Sequence, residues 1–176
     1  MRRLVLILVA LLATAPASAQ NLSGAAQAAI SHYRHQHGLA GVTADARLMQ
    51  LAQEQAHAMA RAGVLDHSVH RPFAARIGSY GPDIAVENIA AGTRSFSSTL
   101  DIWKRSAGHN ANLLKSGATR FGIASAAAPN SKYKIFWALI MAGSHGPRGV
   151  RHAGNPGLMR AAVAREPVVR VQRKRP

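Results

Sequence analysis

The sequence predicts an α+β domain in which a sheet is sandwiched between helices. Apolar residues recur with the 3.6-residue helical period in three stretches before residue 110. Two strand-like runs follow, Arg120–Ala126 and Tyr133–Met141. The second is apolar on both faces, with Ile135, Trp137 and Leu139 on one and Phe136, Ala138 and Ile140 on the other. A strand of that kind has to be covered on both sides.

The elements follow in order. Ser23 is placed to cap a first helix with the stripe Ala26, Ala29, Ile30 and Tyr33, ending at Gly38. A second helix starts near Asp45. Its stripe is Leu48, Leu51, Ala52, Ala56 and Met59, and Gly63 stands just past its end. His57 lies opposite that stripe and reads as a solvated surface histidine. Residues 66–95 show no long period and carry the breakers Pro72, Gly78, Gly81, Pro82 and Gly92. A third helix is expected from Ser97 to Ala107, with Ser98 and Asp101 as a capping box and Phe96, Leu100, Trp103 and Ala107 as its stripe. A short helical turn with Leu113 and Leu114 follows Gly108, and Pro129-Asn130-Ser131 joins the two strands.

The chain has 176 residues, 48% hydrophobic and 16% charged, enough for one domain with a core. That excludes a multidomain enzyme and a wholly disordered chain. The absence of cysteine excludes a disulfide- or thiolate-built fold. Arg2 and Arg3 precede the apolar run Leu4–Leu12, and small residues stand at Ala17 and Ala19. This is the pattern of a secretory signal peptide over residues 1–19, cleaved after Ala19. The run is too short to span a bilayer, which takes about 20 residues. The expected mature product is exported, periplasmic or extracellular, and without a lipid anchor.

Removing the two leader arginines lowers the net charge from +15 to +13. Residues 146–176 hold eight basic residues against Glu166 alone, among repeated glycines and prolines. They read as a disordered basic tail behind a domain at 20–145. Such a tail suits an anionic envelope surface, at about 1 kcal/mol per basic residue near it, with salt-sensitive association as its signature. Export argues against nucleic acid as a partner, and a monomer is expected.

The sequence holds no Gly-rich phosphate loop, G-x-S-x-G elbow or H-E-x-x-H. Gly143-Ser144-His145 resembles a nucleophile turn only superficially, since a histidine next to a serine is badly placed to serve it as base. Three ionisable residues stand where sites are usually built: His67 after the second helix, Glu87 inside the apolar stretch Ala85–Ala90, and His109 near the third helix's end. A carboxylate in an apolar strand needs a partner or loses its charge. Two imidazoles and a carboxylate, if the fold brings them together, suit a borderline divalent ion such as Zn²⁺. His32, His35 and His37 are spaced poorly for ligation from one helix face and read as an exposed surface that binds metal weakly. His70 is near enough to His67 to be an accessory ligand.

Taken in order, these segments resemble the CAP superfamily (cysteine-rich secretory proteins, antigen 5 and pathogenesis-related 1), in its short, cysteine-free bacterial branch. The resemblance spans about residues 25–142. It is carried by Arg34…Gly38-Leu39, Leu48-x-x-Leu51-Ala52…Ala56-x-x-Met59 and Gly63-Val64-Leu65-Asp66-His67-Ser68. It continues through Glu87-Asn88-Ile89-Ala90-x-Gly92, Trp103-x-x-Ser106-x-Gly108-His109-x-x-Asn112-Leu113-Leu114 and Phe121-Gly122-Ile123-Ala124. The resemblance implies a three-layer α–β–α sandwich with a central cleft of two histidines and two glutamates, commonly with zinc. His67 and His109 match the histidines and Glu87 the first glutamate, which implies a metal set of His67, His109 and Glu87. The second glutamate would stand three residues after Trp103, where this chain has Ser106. That costs the set one negative charge and one orienting acceptor. Asn88 is expected to be structural, hydrogen-bonding backbone near the cleft, and Gly108 to let the helix end and the next turn approach closely.

Two functional readings follow for the cleft. In one, the protein is a CAP module binding a small or lipid-like ligand, with a divalent ion in the cleft and no established catalysis. In the other it is a protease-like hydrolase. His67 or His109 is then general base, Glu87 its orienter, and Ser106 or a water the nucleophile. Against the serine version, Ser106 reads as facing solvent on the last helical turn.

Overall fold

The computed structural model describes residues 17–143, with side chains from Asn21 onward. The expected signal peptide and basic tail, apart from the leader's last three residues, lie outside the described residues. The order is α1 (Ala17–Gln36), β1 (Thr43–Ala44), α2 (Ala46–Ala62), α3 (Phe73–Gly78), β2 (Ile84–Ala91), α4 (Phe96–Arg105), α5 (Ala107–Leu113), β3 (Ala118–Ala128) and β4 (Lys134–Gly143). The strands form one sheet in the order β1-β3-β4-β2. β1 runs parallel to β3, and the other pairs are antiparallel.

Period-two alternation divides the core between the faces of this sheet. Ile89 and Ala91 of β2, with Phe136, Ala138, Ile140 and Ala142 of β4, pack against Leu48–Met59 of α2 and Phe73 and Ile77 of α3. Val86 and Ala90, with Trp137, Leu139 and Met141, pack on Ala26 and Ile30 of α1, Leu100 and Trp103 of α4 and Leu113 of α5. This is the expected α–β–α sandwich, and β4 lies in its middle layer, buried on both faces. A bulge between Ala118 and Arg120 shifts the parity of β3. Ala118 and Phe121 therefore share one face.

Helix α2 matches its sequence signals. Asp45 has extended backbone and accepts from Leu48 N–H at 3.0 Å. Gly63 ends the helix at φ 66°. Other boundaries differ from expectation. α1 begins six residues before Ser23, which lies inside the helix, because the alanine-rich stretch before it continues the helical path. α4 is capped by Ser95, whose hydroxyl accepts from Ser98 N–H at 3.2 Å, so Ser98 is the third helical residue and not the cap. α4 stops at Arg105 because Ser106 turns extended at φ −97°, ψ 123°. Ala107 therefore leaves the α4 stripe, starts α5 and is exposed. α3 and β1 have no counterpart in the expected elements, because neither is long enough to show a period.

The α2 cap also ties two distant segments together. Tyr80 donates its hydroxyl to Asp45 Oδ2 at 2.8 Å, and the Arg120 guanidinium lies 3.7 Å from the same oxygen and over the Tyr80 ring. Burial pushes the Tyr80 phenol up to about 12, helped by its bond to the Asp45 carboxylate and by that charge. Burial alone would raise Asp45, but the Leu48 N–H, the Tyr80 hydroxyl and the Arg120 charge outweigh it and hold the carboxyl below its ordinary value. The two shifts bound a stability window. The Asp45 contribution is present above its unfolded value near 3.8 and is lost as pH falls through the lower folded value. The Tyr80 contribution is complete below 10 and is lost as pH rises toward about 12. Thermal melts of Tyr80→Phe are expected to fall less steeply than wild type between those two values. Parallel curves would contradict the assignment.

Candidate functional site

Three local devices position His67. Asp66 accepts Ser68 N–H on Oδ1 at 2.6 Å, closing a turn on its own backbone. Gln55, buried on α2, donates to Asp66 O at 2.7 Å. Arg76 of α3 donates from Nη2 to His67 O at 3.0 Å. The imidazole then meets Glu87 of β2, with Nδ1 2.8 Å from Oε1. The His67 side chain is 25% exposed and that of Glu87 1%, so the histidine is the solvent-facing end of the pair.

Glu87 occupies a core position opposite Ile140 in the register. A buried carboxylate is costly unless paired, and Arg76 is its partner. Nη2 lies 2.8 Å from both Oε1 and Oε2, and the Arg76 side chain is 0% exposed. Nε donates to Arg71 O at 3.2 Å, and Nη1 has no partner among the described residues. Sequence reasoning missed Arg76. The signal was present but faint: Phe73, Arg76 and Ile77 stand at helical spacing, so a single turn puts all three on one buried face.

His109 reaches the next residue of the same strand. Its carbonyl accepts from Asn88 Nδ2 at 3.0 Å, and Asn112 donates to Asn88 Oδ1 at 2.9 Å and to Glu87 O at 3.2 Å. Trp103 donates from Nε1 to Ile89 O at 3.3 Å. Asn88 is thus the backbone-bonding residue that was expected. β2 is an edge strand, and these contacts cover main-chain groups that an edge leaves open. Glu87 and Asn88 point to opposite faces, as neighbours on a strand must. His67 is therefore held from the α2–α3 side of β2, whereas the His109 segment is held from the α4–α5 side.

Ser106 does not face away into solvent. Its Oγ is 2.9 Å from His109 Nδ1, and the ring is nearly buried. Ser106 thereby supplies the orienting oxygen whose loss was inferred when no glutamate followed Trp103. The triad suggested for hydrolysis is not assembled as one unit, because Glu87 orients His67 while Ser106 bonds His109. The other histidines among the described residues, His32, His35, His37, His57 and His70, are exposed. His32 pairs with Gln36 at 3.1 Å, and His37 bonds Tyr33 O at 2.9 Å.

The model of the cysteine-rich secretory protein family, CAP, matches residues 27–141. The chain belongs to the CAP family. Its fold is similar to an outer surface protein from Borrelia burgdorferi, with a TM-score of 0.62 at 16% identity, over 70% of this chain and 93% of that one. It is also similar to an extracellular protein containing an SCP domain from Bacillus anthracis, with a TM-score of 0.59 at 21% identity, over 74% of this chain and 44% of that one. A cysteine-rich secretory protein from Staphylococcus aureus gives a TM-score of 0.54 at 14% identity, over 72% of this chain and 40% of that one. This CAP chain therefore spans less than half of the latter two. No curated protein matches it. At these identities the likenesses establish the CAP fold.

The family resemblance implied zinc held by His67, His109 and Glu87. The donors of this CAP domain do not fit that set. Both Glu87 oxygens contact the Arg76 cation, and one also bonds His67. Among the described residues, no group of three or more His, Cys, Asp or Glu could hold a metal ion. The physical reason is charge: a guanidinium on both oxygens repels a second cation from the same carboxylate.

Proposed function

We propose that this chain is an exported CAP module that binds a small or lipid-like ligand with a polar head at His67. The reading rests on one observation: a part-exposed imidazole fixed through Nδ1 by a carboxylate that is itself buried. Locking Nδ1 leaves the ring oriented before a ligand arrives, which lowers the ordering cost of binding. Export is supported by the leader pattern at residues 1–19 and by solved relatives described as extracellular and outer-surface proteins. The experiment is a titration of the mature chain with fatty acids and sterols, following the ring resonances of His67 and His109. The expected result is saturable movement of the His67 signals, with affinity weakened about tenfold or more by His67→Ala. A full series that leaves those signals in place would overturn the proposal.

A second reading draws support from the Ser106–His109 contact, since a serine hydroxyl 2.9 Å from an imidazole nitrogen has nucleophile–base geometry. The binding reading is favoured because Glu87, the orienter that a hydrolase needs, lies on the other histidine. Treating the same sample with a fluorophosphonate discriminates the two. Labelling abolished by Ser106→Ala would move the assignment to a serine hydrolase.

A further inference from the structure

The geometry points to Arg76 as the resident cation of this cleft, standing where the family resemblance implies a divalent ion. It fixes Glu87, and through Glu87 the His67 ring, without metal. Three observations carry this. First, the cation is built in: the Arg76 side chain is 0% exposed and its Nη2 lies 2.8 Å from each Glu87 oxygen. Second, the charges balance. The implied set carries two carboxylates and attracts a dication, whereas this chain has Ser106 where the second glutamate would stand and a guanidinium on the first. One acid and one base leave the centre neutral, with no net negative charge to draw an ion in. Third, the same guanidinium closes the surrounding backbone. Nη2 holds His67 O at 3.0 Å and Nε holds Arg71 O at 3.2 Å, so loop, α3 and β2 meet on one side chain. The remaining Nη1 is a buried donor without a partner among the described residues. An N–H donor there welcomes a water or an anion and repels a metal ion.

Arg76 acts on His67 through Glu87, so it is a positioning residue and its test needs no ligand. Failure of the ligand proposal would leave this one standing, and the reverse also holds. The experiment uses the mature exported chain and zinc chloride alone. In wild type, the His67 ring resonances are expected to stay in place through the first equivalent of zinc while exposed histidines such as His32 and His57 broaden. The melting temperature should be the same with zinc and with a chelator. Arg76→Gln is expected to lower the melting temperature and to bind zinc about tenfold or more tightly, a gain that His67→Ala abolishes. A His67 response to the first zinc equivalent in wild type would overturn the proposal. So would an Arg76→Gln protein with wild-type stability and no new zinc response. If Arg76→Gln does not fold, Arg76→Lys keeps the charge with a poorer reach. It should fold with a lowered melting temperature and remain indifferent to zinc, and a zinc-responsive His67 in that variant would also sink the idea.

Discussion

Arg34→Met is expected to destabilise the domain by about 2–6 kcal/mol, a large part of the roughly 5–15 kcal/mol that holds such a fold. Arg34 stands one turn after Ile30, on the apolar face of α1, and is 1% exposed. Its named partners are main-chain carbonyls: Nε donates to Ala40 O at 2.8 Å, Nη1 to Leu113 O at 2.7 Å and Lys115 O at 3.1 Å, and Nη2 to Ala118 O at 2.8 Å. Burial pulls its pKa below the ordinary arginine value. Leu113 and Lys115 lie at the end of α5, where helix carbonyls lack internal donors and carry partial negative charge. One guanidinium therefore closes α1, ends α5 and starts β3. Methionine fills the stem's space but takes this donor from the two buried carbonyls, Leu113 O and Ala118 O, each costing about 1–3 kcal/mol when left without one. Lys115 O keeps its bond from Ala118 N–H at 3.3 Å. Arg34→Lys should recover only part of this, because an ammonium lacks the planar fork that reaches several carbonyls at once. Urea unfolding at neutral pH measures both. A loss under about 1 kcal/mol for the methionine variant would contradict the role assigned to Arg34.

What the sequence made legible follows from the range of each signal. α2 could be read because five apolar residues repeat over three turns between a capping aspartate and a terminal glycine. β4 could be read because a run apolar on both faces has one physical home, the middle of a sandwich. Between residues 66 and 95, α3 is a six-residue helix, too short to show a period, and Glu87-Asn88 breaks the apolar run that would mark β2. Glu87 was recognisable as a buried carboxylate in need of a partner. Its partner lay eleven residues away in an element that left no periodic trace. The sequence therefore offered a metal as the partner of Glu87 but marked only faintly Arg76, whose Nη2 lies 2.8 Å from both carboxylate oxygens. Ser106 was misjudged for a related reason. A continuous helix to Ala107 turns its side chain outward, whereas the extended backbone at Ser106 turns it onto His109. The family motif places His67 and Glu87 in one cleft, and the two meet at 2.8 Å, a contact between distant segments that local patterns omit.

The second large effect is expected at Gly122, in the segment Phe121-Gly122-Ile123-Ala124. A Cβ built there would overlap the main chain of Leu48 and Met49, the first turn of α2. Flexible side chains yield to such an intrusion, but here helix backbone would have to move. The helix start is tied to β3 on both sides of the glycine: Asp45 N–H donates to Phe121 O at 2.9 Å, and Ile123 N–H lies 3.1 Å from Met49 Sδ. Gly122→Ala must therefore break those ties or lift α2 from the sheet, with an expected loss of about 3 kcal/mol or more. Gly24→Ala is the internal contrast. Gly24 lies inside α1 with nothing near its missing Cβ, so alanine there should stabilise by up to about 1 kcal/mol. The two methyl groups are chemically identical, and only the surroundings set the sign. The Gly122 effect should also reach the cleft, because α2 carries Gln55, the donor that holds the His67 loop at Asp66 O. Histidine resonances recorded on folded Gly122→Ala protein should show a displaced or broadened His67 ring. An alanine variant with wild-type urea stability would mean that α2 does not approach β3 as closely as its backbone does here.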